Sequence, residues 1–131
     1  MTYLIDSDVT IDYLFNEPKT VALIDELRRH GVAISSISYM EVMEGVAASR
    51  APQQARVILR RFMRGTRVLV VSRAVAGRAA ELRADLRRQK RQVNERALDI
   101  LIAATAIEHG RILVTRNWDH YADIPGLRLH Q

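Results

Sequence analysis

Acidic side chains recur in this chain close to the points where its predicted strands end. The group consists of Asp6, Asp8, Glu41, Asp99 and Asp119. Two of these acids directly follow the first predicted strand, one follows the fourth, and two stand on helices adjoining the second and the fourth. In an open parallel α/β sheet, the reactive crevice lies outside the carboxyl ends of the strands. We therefore expect acids from separate parts of the chain to meet at one edge of a sheet.

Carboxylates that gather at one place repel one another and need a compensating positive charge. Oxygen ligands suit Mg²⁺ or Mn²⁺, and either ion can activate water and offset charge on a phosphate. Any single acid also has a structural explanation, because Asp6 or Asp8 could cap a helix and Asp99 could complement a helix dipole. Asp99 stands out, since residues 97–104 are otherwise apolar and charged groups are seldom buried unpaired.

Charges of opposite sign are segregated along the chain, whose formal net charge is +5. Residues 1–49 carry 8 acidic and 3 basic side chains, whereas residues 50–96 carry 3 acidic and 14 basic ones. An arginine side chain binds a phosphate through two hydrogen bonds at once, and a one-sided basic block is typical of a polyanion site. One predicted helical stripe at intervals of four residues is the candidate for this role: Arg83, Arg87 and Arg91. A solvated surface without a partner is the alternative.

The composition excludes several classes of protein. The chain has 131 residues and no cysteine, which rules out disulfide scaffolds, cysteine-bound zinc and thiol catalysis. Its first apolar run stops at Asp6, and the longest later one, residues 100–107, is shorter than the roughly 20 residues that a membrane span needs. The four histidines have no metal-ligand spacing and are predicted to lie on the surface. We expect a single domain over residues 1–131, located in the cytoplasm and without a membrane partner.

Strand-like and helix-like segments alternate throughout the chain, which predicts an α/β fold whose parallel strands are joined through helices. Apolar runs predict strands at 4–5, 32–34, 68–71 and 111–115, with a possible fifth at 127–129. Helical periodicity predicts helices at 9–15, 18–29, 52–64, 73–91 and 95–109. Ser38 is predicted to cap one further helix, and Asn94 to open the last.

Four motifs follow one another across the whole chain. They are LIDSDV at 4–9, SYMEVMEG at 38–45, DILIAATA at 99–106, and LVTRN at 113–117 followed by IPGL at 124–127. They resemble the patterns hhDTNV, S-x-x-E-L-x-x-G, D-x-x-I-A-A-T-A and LVTRN…F…IPGL of the PIN-domain ribonucleases, specifically the VapC-type toxins of prokaryotic toxin–antitoxin pairs. Asp8 replaces the usual asparagine of the first pattern. At the place of a fourth acid the chain has Asn117, with Asp119 two residues later.

This resemblance implies a three-layer α/β/α PIN-like domain with a central, mainly parallel sheet of four to five strands. It implies a homodimeric endoribonuclease that uses Mg²⁺ or Mn²⁺ to cut structured RNA, such as tRNA or ribosomal RNA loops. It also implies a VapB-like antitoxin that covers the acidic pocket and is the only link to operator DNA.

The resemblance also assigns roles to single residues. The catalytic acids would be Asp6, Glu41, Asp99 and Asp119. Asp6 and Asp99 would bind the metal directly, and Glu41 and Asp119 through water. The phosphate would be supported by Ser7, Asp8, Thr115 and Asn117. Independently of the resemblance, the charge pattern predicts that the RNA backbone lies on the arginine-rich segment 50–96, on the stripe of Arg83, Arg87 and Arg91.

Two alternatives remain open. Residues 6–10 satisfy the D-x-D-x-T motif of haloacid-dehalogenase-type phosphatases, in which Asp6 would be the nucleophile and Asp8 the acid or base. That class also needs a lysine at the site and paired aspartates after a later strand. The fourth predicted strand lacks such a pair, and the only lysines, Lys19 and Lys90, lie on helices predicted to be exposed. The second alternative is a non-catalytic nucleic-acid-binding or partner-binding module of the same fold, which an assay of metal-dependent RNA cleavage would distinguish.

Overall fold

The computed structural model describes residues 2–131, so Met1, the first residue of the predicted domain, lies outside the described residues. Within this range the chain forms four strands: β1 (Tyr3–Ile5), β2 (Val32–Ser35), β3 (Thr66–Leu69) and β4 (Ile112–Val114). It also forms six helices: α1 (Ser7–Leu14), α2 (Pro18–Leu27), α3 (Ser36–Ala47), α4 (Pro52–Met63), α5 (Arg73–Arg88) and α6 (Ala97–Glu108). Short 3₁₀ turns span Arg28–His30 and Trp118–His120. None of the helices within residues 2–131 is long and apolar enough to cross a membrane.

The strands form one parallel sheet in the order β3-β2-β1-β4. Leu4 of the central strand β1 pairs with Ala33 on one side and Leu113 on the other. The possible fifth strand at 127–129 is not formed, since Leu129 makes only an isolated parallel bridge with Leu113. Because all four strands run the same way, their carboxyl ends lie at one edge of the sheet.

Helices cover both faces of this sheet. One core packs apolar residues of α5 and α6 against Leu4 and Leu113, and the other packs residues of α1, α2, α3 and α4 against Ile5 and Val114. Successive side chains of a strand point to opposite faces, so β1, β2 and β4 each contribute to both cores, whereas β3 contributes Leu69 to the first core. The three-layer α/β/α architecture expected from the sequence is confirmed, with four strands.

The structure corrects the predicted starts of two helices. α1 begins at Ser7 rather than at residue 9, because the Asp6 carboxylate caps it by accepting from the Ser7 N–H. The cap of α3 is Ser35, whose hydroxyl oxygen accepts from the N–H of Ser38 at 2.9 Å. The predicted cap Ser38 is thus the residue whose N–H the capping side chain binds, so Ser38 was the wrong serine.

The region between α5 and α6 also differs from the prediction. α5 ends at Arg88 instead of residue 91, and Lys90 takes a left-handed conformation with φ 61°, which cannot continue the helix. Asn94 does not open the last helix, which begins at Ala97. Because α5 ends at Arg88, Arg91 lies outside this helix.

β3 is shifted by two residues toward the amino terminus relative to the strand predicted at 68–71.

Candidate active site

The Asp6 carboxylate lies at the carboxyl end of β1, where the chain turns into α1. Its Oδ1 atom accepts from the Ser7 backbone N–H at 2.8 Å, which is the contact of a helix-capping acid. The Ser7 hydroxyl donates in turn to Oε1 of Glu41, on α3, at 2.8 Å. Ser7 therefore links the acids of the first two sequence motifs.

The other oxygen of Asp6 faces β4 and the segment after it. Oδ2 accepts from the Thr115 hydroxyl at 2.8 Å and lies 3.1 Å from the Tyr121 hydroxyl oxygen. The same Tyr121 oxygen lies 3.2 Å from Oδ1 of Asp99, in the first turn of α6. Together with the contacts of Ser7, these hydrogen bonds join the acids of the first three motifs. We call this set, Glu41, Ser7, Asp6, Tyr121 and Asp99, the acidic network.

Burial determines the ionisation of the centre of this network. Asp6 is 4% exposed and Tyr121 is 1% exposed. Burial, and after it the charge of the nearby Asp8, raises the pKa of Asp6 to about 6, although the hydrogen bonds that Asp6 accepts act in the opposite direction. Burial, followed by the charges of Asp6 and Asp99, raises the pKa of Tyr121 far above its usual range. Tyr121 therefore keeps its proton at neutral pH.

Asp8 is turned toward backbone groups. Its Oδ1 atom accepts from the Val9 N–H at 2.6 Å and its Oδ2 atom from the Arg116 N–H at 3.0 Å. The side chain of Arg116 pairs with Asp12, with 3.0 Å between Nε and Oδ2. These contacts attach α1 to the segment after β4. The phosphatase alternative requires Asp8 as a free acid or base beside a lysine, whereas its oxygens bind N–H groups and both lysines are exposed.

The fourth candidate acid is separated from the other three. Asp119 is exposed in the 3₁₀ turn, and within residues 2–131 no hydrogen bond or ion pair joins its carboxylate to the acidic network. Asn117 is also exposed and contributes its backbone N–H, which donates to Oγ1 of Thr115 at 3.0 Å. The structure thus brings together Asp6, Glu41 and Asp99, and leaves Asp119 outside their hydrogen bonds.

Two residues in the turn that follows β4 were not predicted from the sequence. Tyr121 is part of the acidic network, and Nδ1 of His120 lies 3.1 Å from Oδ2 of Asp99, although the His120 side chain is 55% exposed. Arg96 holds this turn by donating to both oxygens of Asp123, at 2.6 and 2.9 Å, and to the His120 carbonyl at 2.8 Å. The sequence signal for Tyr121 was the aromatic position that the LVTRN…F…IPGL pattern has between its two parts, where this chain has Trp118 and Tyr121.

The three arginines of the predicted stripe differ from one another. Arg83 is half-buried and donates to oxygens of residues 93–94 at 3.2 and 3.0 Å. Arg91 pairs with Asp123, with 3.3 Å between Nη1 and Oδ2. Arg87 is exposed on α5, and no ion pair within the described part of the chain involves it. The continuous stripe was a wrong prediction, because α5 ends before its third member.

The donor set of the acidic network fits a divalent cation. Carboxylate oxygens are the ligands that Mg²⁺ and Mn²⁺ prefer, and Mg²⁺ keeps several waters. Tyr121 brings no charge, no lysine or arginine in the described part of the chain forms an ion pair with Asp6 or Asp99, and the exposed His120 lies beside Asp99 alone. No three acidic or histidine side chains within residues 2–131 lie close enough together to form a complete cage. Asp6 and Asp99, with Glu41 behind Ser7, could hold an ion that takes its other ligands from water.

A protein-family model described as PIN domain matches residues 3–127. The chain belongs to the PIN-domain family. The family resemblance carried by the four motifs is therefore confirmed. The three acids of the acidic network, Asp6, Glu41 and Asp99, lie at the carboxyl edge of the sheet of this PIN domain, one in each of the first three motifs.

Known relatives share nearly the whole length of this PIN domain. It is 30% identical over 128 residues to the tRNA(fMet)-specific endonuclease VapC of Shigella flexneri, covering 98% of this chain and 96% of the relative. The DNA-bound VapBC structure from Salmonella typhimurium matches with a TM-score of 0.88 at 28% identity, covering 99% and 97% of the two chains. VapBC2 from Rickettsia felis, bound to a fragment of its promoter, matches with a TM-score of 0.89 at 26% identity, covering 99% and 98%. These similarities group this PIN domain with the VapC-type ribonucleases.

Proposed function

We propose that this PIN domain is the toxin of a type II toxin–antitoxin system and acts as a divalent-metal-dependent endoribonuclease. The observation that carries the proposal is the acidic network, in which Asp6, Glu41 and Asp99 come from three separate elements and meet at one edge of the sheet. A similar VapC protein is named a tRNA(fMet)-specific endonuclease. A non-catalytic binding module would not need three acids linked by hydrogen bonds at a partly buried site.

The three acids, and two hydroxyl groups that donate to them, have defined tasks in this proposal. Asp6 and Asp99 would hold Mg²⁺ or Mn²⁺ directly, and Glu41 would hold it through water. When bound, the ion supplies an activated water and offsets the charge that builds on the scissile phosphate. Thr115 orients Asp6 by donating to its Oδ2 atom, and Ser7 orients Glu41 in the same way.

Asp8 and Asn117 would support the phosphate indirectly. Asp8 accepts from the Arg116 N–H, and the Asn117 N–H donates to Thr115. Both contacts fix the segment that follows β4, next to the Asp6 carboxylate. Asp8 and Asn117 would therefore act by keeping the segment after β4 in place beside Asp6, and not by contacting the phosphate.

The substrate and partners follow from charge and from the relatives. The arginine-rich segment 50–96 would bind the backbone of structured RNA, either tRNA or ribosomal RNA loops. Two similar solved structures are VapBC complexes on DNA. We therefore include in the proposal a VapB-like antitoxin that links the toxin to operator DNA, a toxin homodimer, and action in the cytoplasm.

The test is cleavage of total RNA by the purified chain with Mg²⁺, with Mn²⁺, and with excess chelator. We expect discrete tRNA or ribosomal RNA fragments with either metal and none with chelator. Binding of RNA without cleavage under all these conditions would support the non-catalytic module instead.

Asp119→Asn is expected to raise the Mg²⁺ concentration needed for half-maximal cleavage and to leave activity unchanged at saturating Mg²⁺. An exposed acid outside the network can reach the ion only through water, so the effect should not exceed that of an exposed charge pair, up to about 1 kcal/mol or about fivefold. Asp6→Asn, by contrast, should not be rescued by additional Mg²⁺. If Asp119→Asn titrates with Mg²⁺ like the wild type, Asp119 has no part in the site.

Arg87→Gln is expected to reduce the slope of the logarithm of RNA affinity against the logarithm of salt concentration by about 0.7. The reason is that each phosphate contact releases condensed counterions, and Arg87 is exposed, whereas Arg91 of the same predicted stripe is paired with Asp123. Arg29→Gln, an exposed arginine outside segment 50–96, serves as the matched control and should leave the slope unchanged. An unaltered slope for Arg87→Gln would assign this face to the antitoxin or to solubility.

A further inference from the structure

The Tyr121 hydroxyl oxygen lies between two carboxylates that come from distant parts of the chain. It is 3.1 Å from Oδ2 of Asp6 and 3.2 Å from Oδ1 of Asp99. No hydrogen bond within residues 2–131 joins the two carboxylates to each other directly. The hydroxyl is therefore the group through which β1 and α6 place their acids in a common arrangement.

The Tyr121 hydroxyl has fewer protons than it has acceptors. A phenol has one proton to donate, and Tyr121 has two carboxylate oxygens within hydrogen-bond distance. Asp6 already accepts hydrogen bonds from the Thr115 hydroxyl and from the Ser7 N–H. The partners of Asp99 are the buried Tyr121 and the exposed His120. Tyr121 therefore shares its one proton between the two carboxylates, and it gives Asp99 a buried donor beside the exposed His120.

The position of the hydroxyl is fixed by its surroundings. The Tyr121 side chain is 1% exposed and belongs to the core formed by α5 and α6. Its backbone N–H donates to the Trp118 carbonyl, and its carbonyl accepts from Ile124. The contacts of Arg96 with Asp123 hold the same turn against the start of α6. A donor with so little freedom can define the separation of the groups that it touches.

We propose that Tyr121 is a positioning residue whose hydroxyl holds the Asp6 and Asp99 carboxylates in the arrangement that binds the divalent cation. The inference rests on the proposed function only in taking these two acids as metal ligands. Without the hydroxyl, the carboxylates lose their common contact and repel each other, so the cost of bringing them to one ion rises. Groups that orient metal ligands typically contribute about 10- to 100-fold to metal affinity.

The experiment is Tyr121→Phe, which removes one oxygen and keeps the buried ring. Mn²⁺ binding is measured by calorimetry on the protein without RNA. We expect binding about 10-fold weaker than that of the wild type, at the low end of the range for such groups. Cleavage should require a correspondingly higher metal concentration, with the KM for RNA and the maximal rate at saturating metal unchanged. Tyr13→Phe is the matched control, because Tyr13 packs on Phe62 in the other core.

A second measurement separates weaker metal binding from a general loss of stability in Tyr121→Phe. Metal binding to the folded state raises the free energy of unfolding by an amount that depends on the dissociation constant, so 10-fold weaker binding lowers this increment by about 1.4 kcal/mol in excess Mn²⁺. The increment is read from unfolding curves with and without Mn²⁺, whatever the stability of the metal-free variant. Mn²⁺ binding by Tyr121→Phe that equals or exceeds the wild-type affinity would overturn the inference, as would a wild-type chain that binds no Mn²⁺. A chain that binds Mn²⁺ through Asp6 and Asp99 but cuts no RNA would contradict the ribonuclease proposal alone.

Discussion

Replacing Asp6, Glu41 or Asp99 by its uncharged amide is expected to lower the rate of RNA cleavage at least about 100-fold. Even groups that only orient metal ligands contribute about 10- to 100-fold, and these three acids are the proposed ligands themselves. The variants are Asp6→Asn, Glu41→Gln and Asp99→Asn, measured by RNA cleavage at saturating Mg²⁺. Their expression should no longer inhibit growth. Wild-type cleavage by any two of them would contradict a shared metal site.

The same variants should remain folded, which separates lost chemistry from lost structure. Asp6 is buried and its pKa is raised to about 6, so its ionised form is costly at neutral pH. Asparagine caps a helix about as well as aspartate does, so Asp6→Asn keeps the start of α1. We expect its melting temperature without metal to equal or exceed that of the wild type. Asp25→Asn, an exposed acid on α2, is the matched control and should keep full activity.

Arg96→Met is expected to lower the free energy of unfolding by about 2–3 kcal/mol, measured by urea denaturation. The Arg96 and Asp123 side chains are each 19% exposed, and the variant leaves the Asp123 carboxylate without its closest partner. The variant also releases the carbonyl of His120 and loosens the turn that carries Tyr121. The Mg²⁺ concentration for half-maximal cleavage should therefore rise as well.

A control and a pH dependence make the Arg96 prediction specific. Arg78→Met removes only exposed ion pairs with Glu81 and Glu108, so it should cost less than about 1 kcal/mol. The hydrogen bonds and charge of Arg96 hold the pKa of Asp123 below its usual range, so this pairing stabilises the fold above the unfolded-state pKa of about 3.9. The stabilisation is lost as the pH falls through the lower folded-state pKa. The difference between wild type and Arg96→Met should therefore narrow below about pH 4. A difference that does not change with pH would show that Asp123 is not the partner responsible.

Much of the candidate site could be predicted because its acids follow directly from chain topology. Asp6 comes at the end of a strand, and Asp99 at the start of an apolar helix, so a parallel sheet brings both to one edge. The contribution of Ser7 was predictable for the same reason, since it is adjacent to Asp6. Asp119 was a weaker prediction, because the conformation of a turn decides whether a residue two positions after Asn117 points toward the site or toward solvent.

The alternation of strands and helices, the family, and the three acids at the sheet edge could all be predicted, because they depend on local periodicity and on motif spacing. The position of Tyr121 between Asp6 and Asp99 is visible in the folded chain alone, since its hydroxyl contacts Asp6 across 115 positions of the chain. The end of α5, by contrast, is local, because Lys90 takes a left-handed conformation and the N–H groups of Lys90 and Arg91 donate back to carbonyls of the last helical turn. A contact between residues so far apart in the chain as Tyr121 and Asp6 leaves no periodic signal in the sequence, and the position of Tyr121 therefore could not be predicted from periodicity.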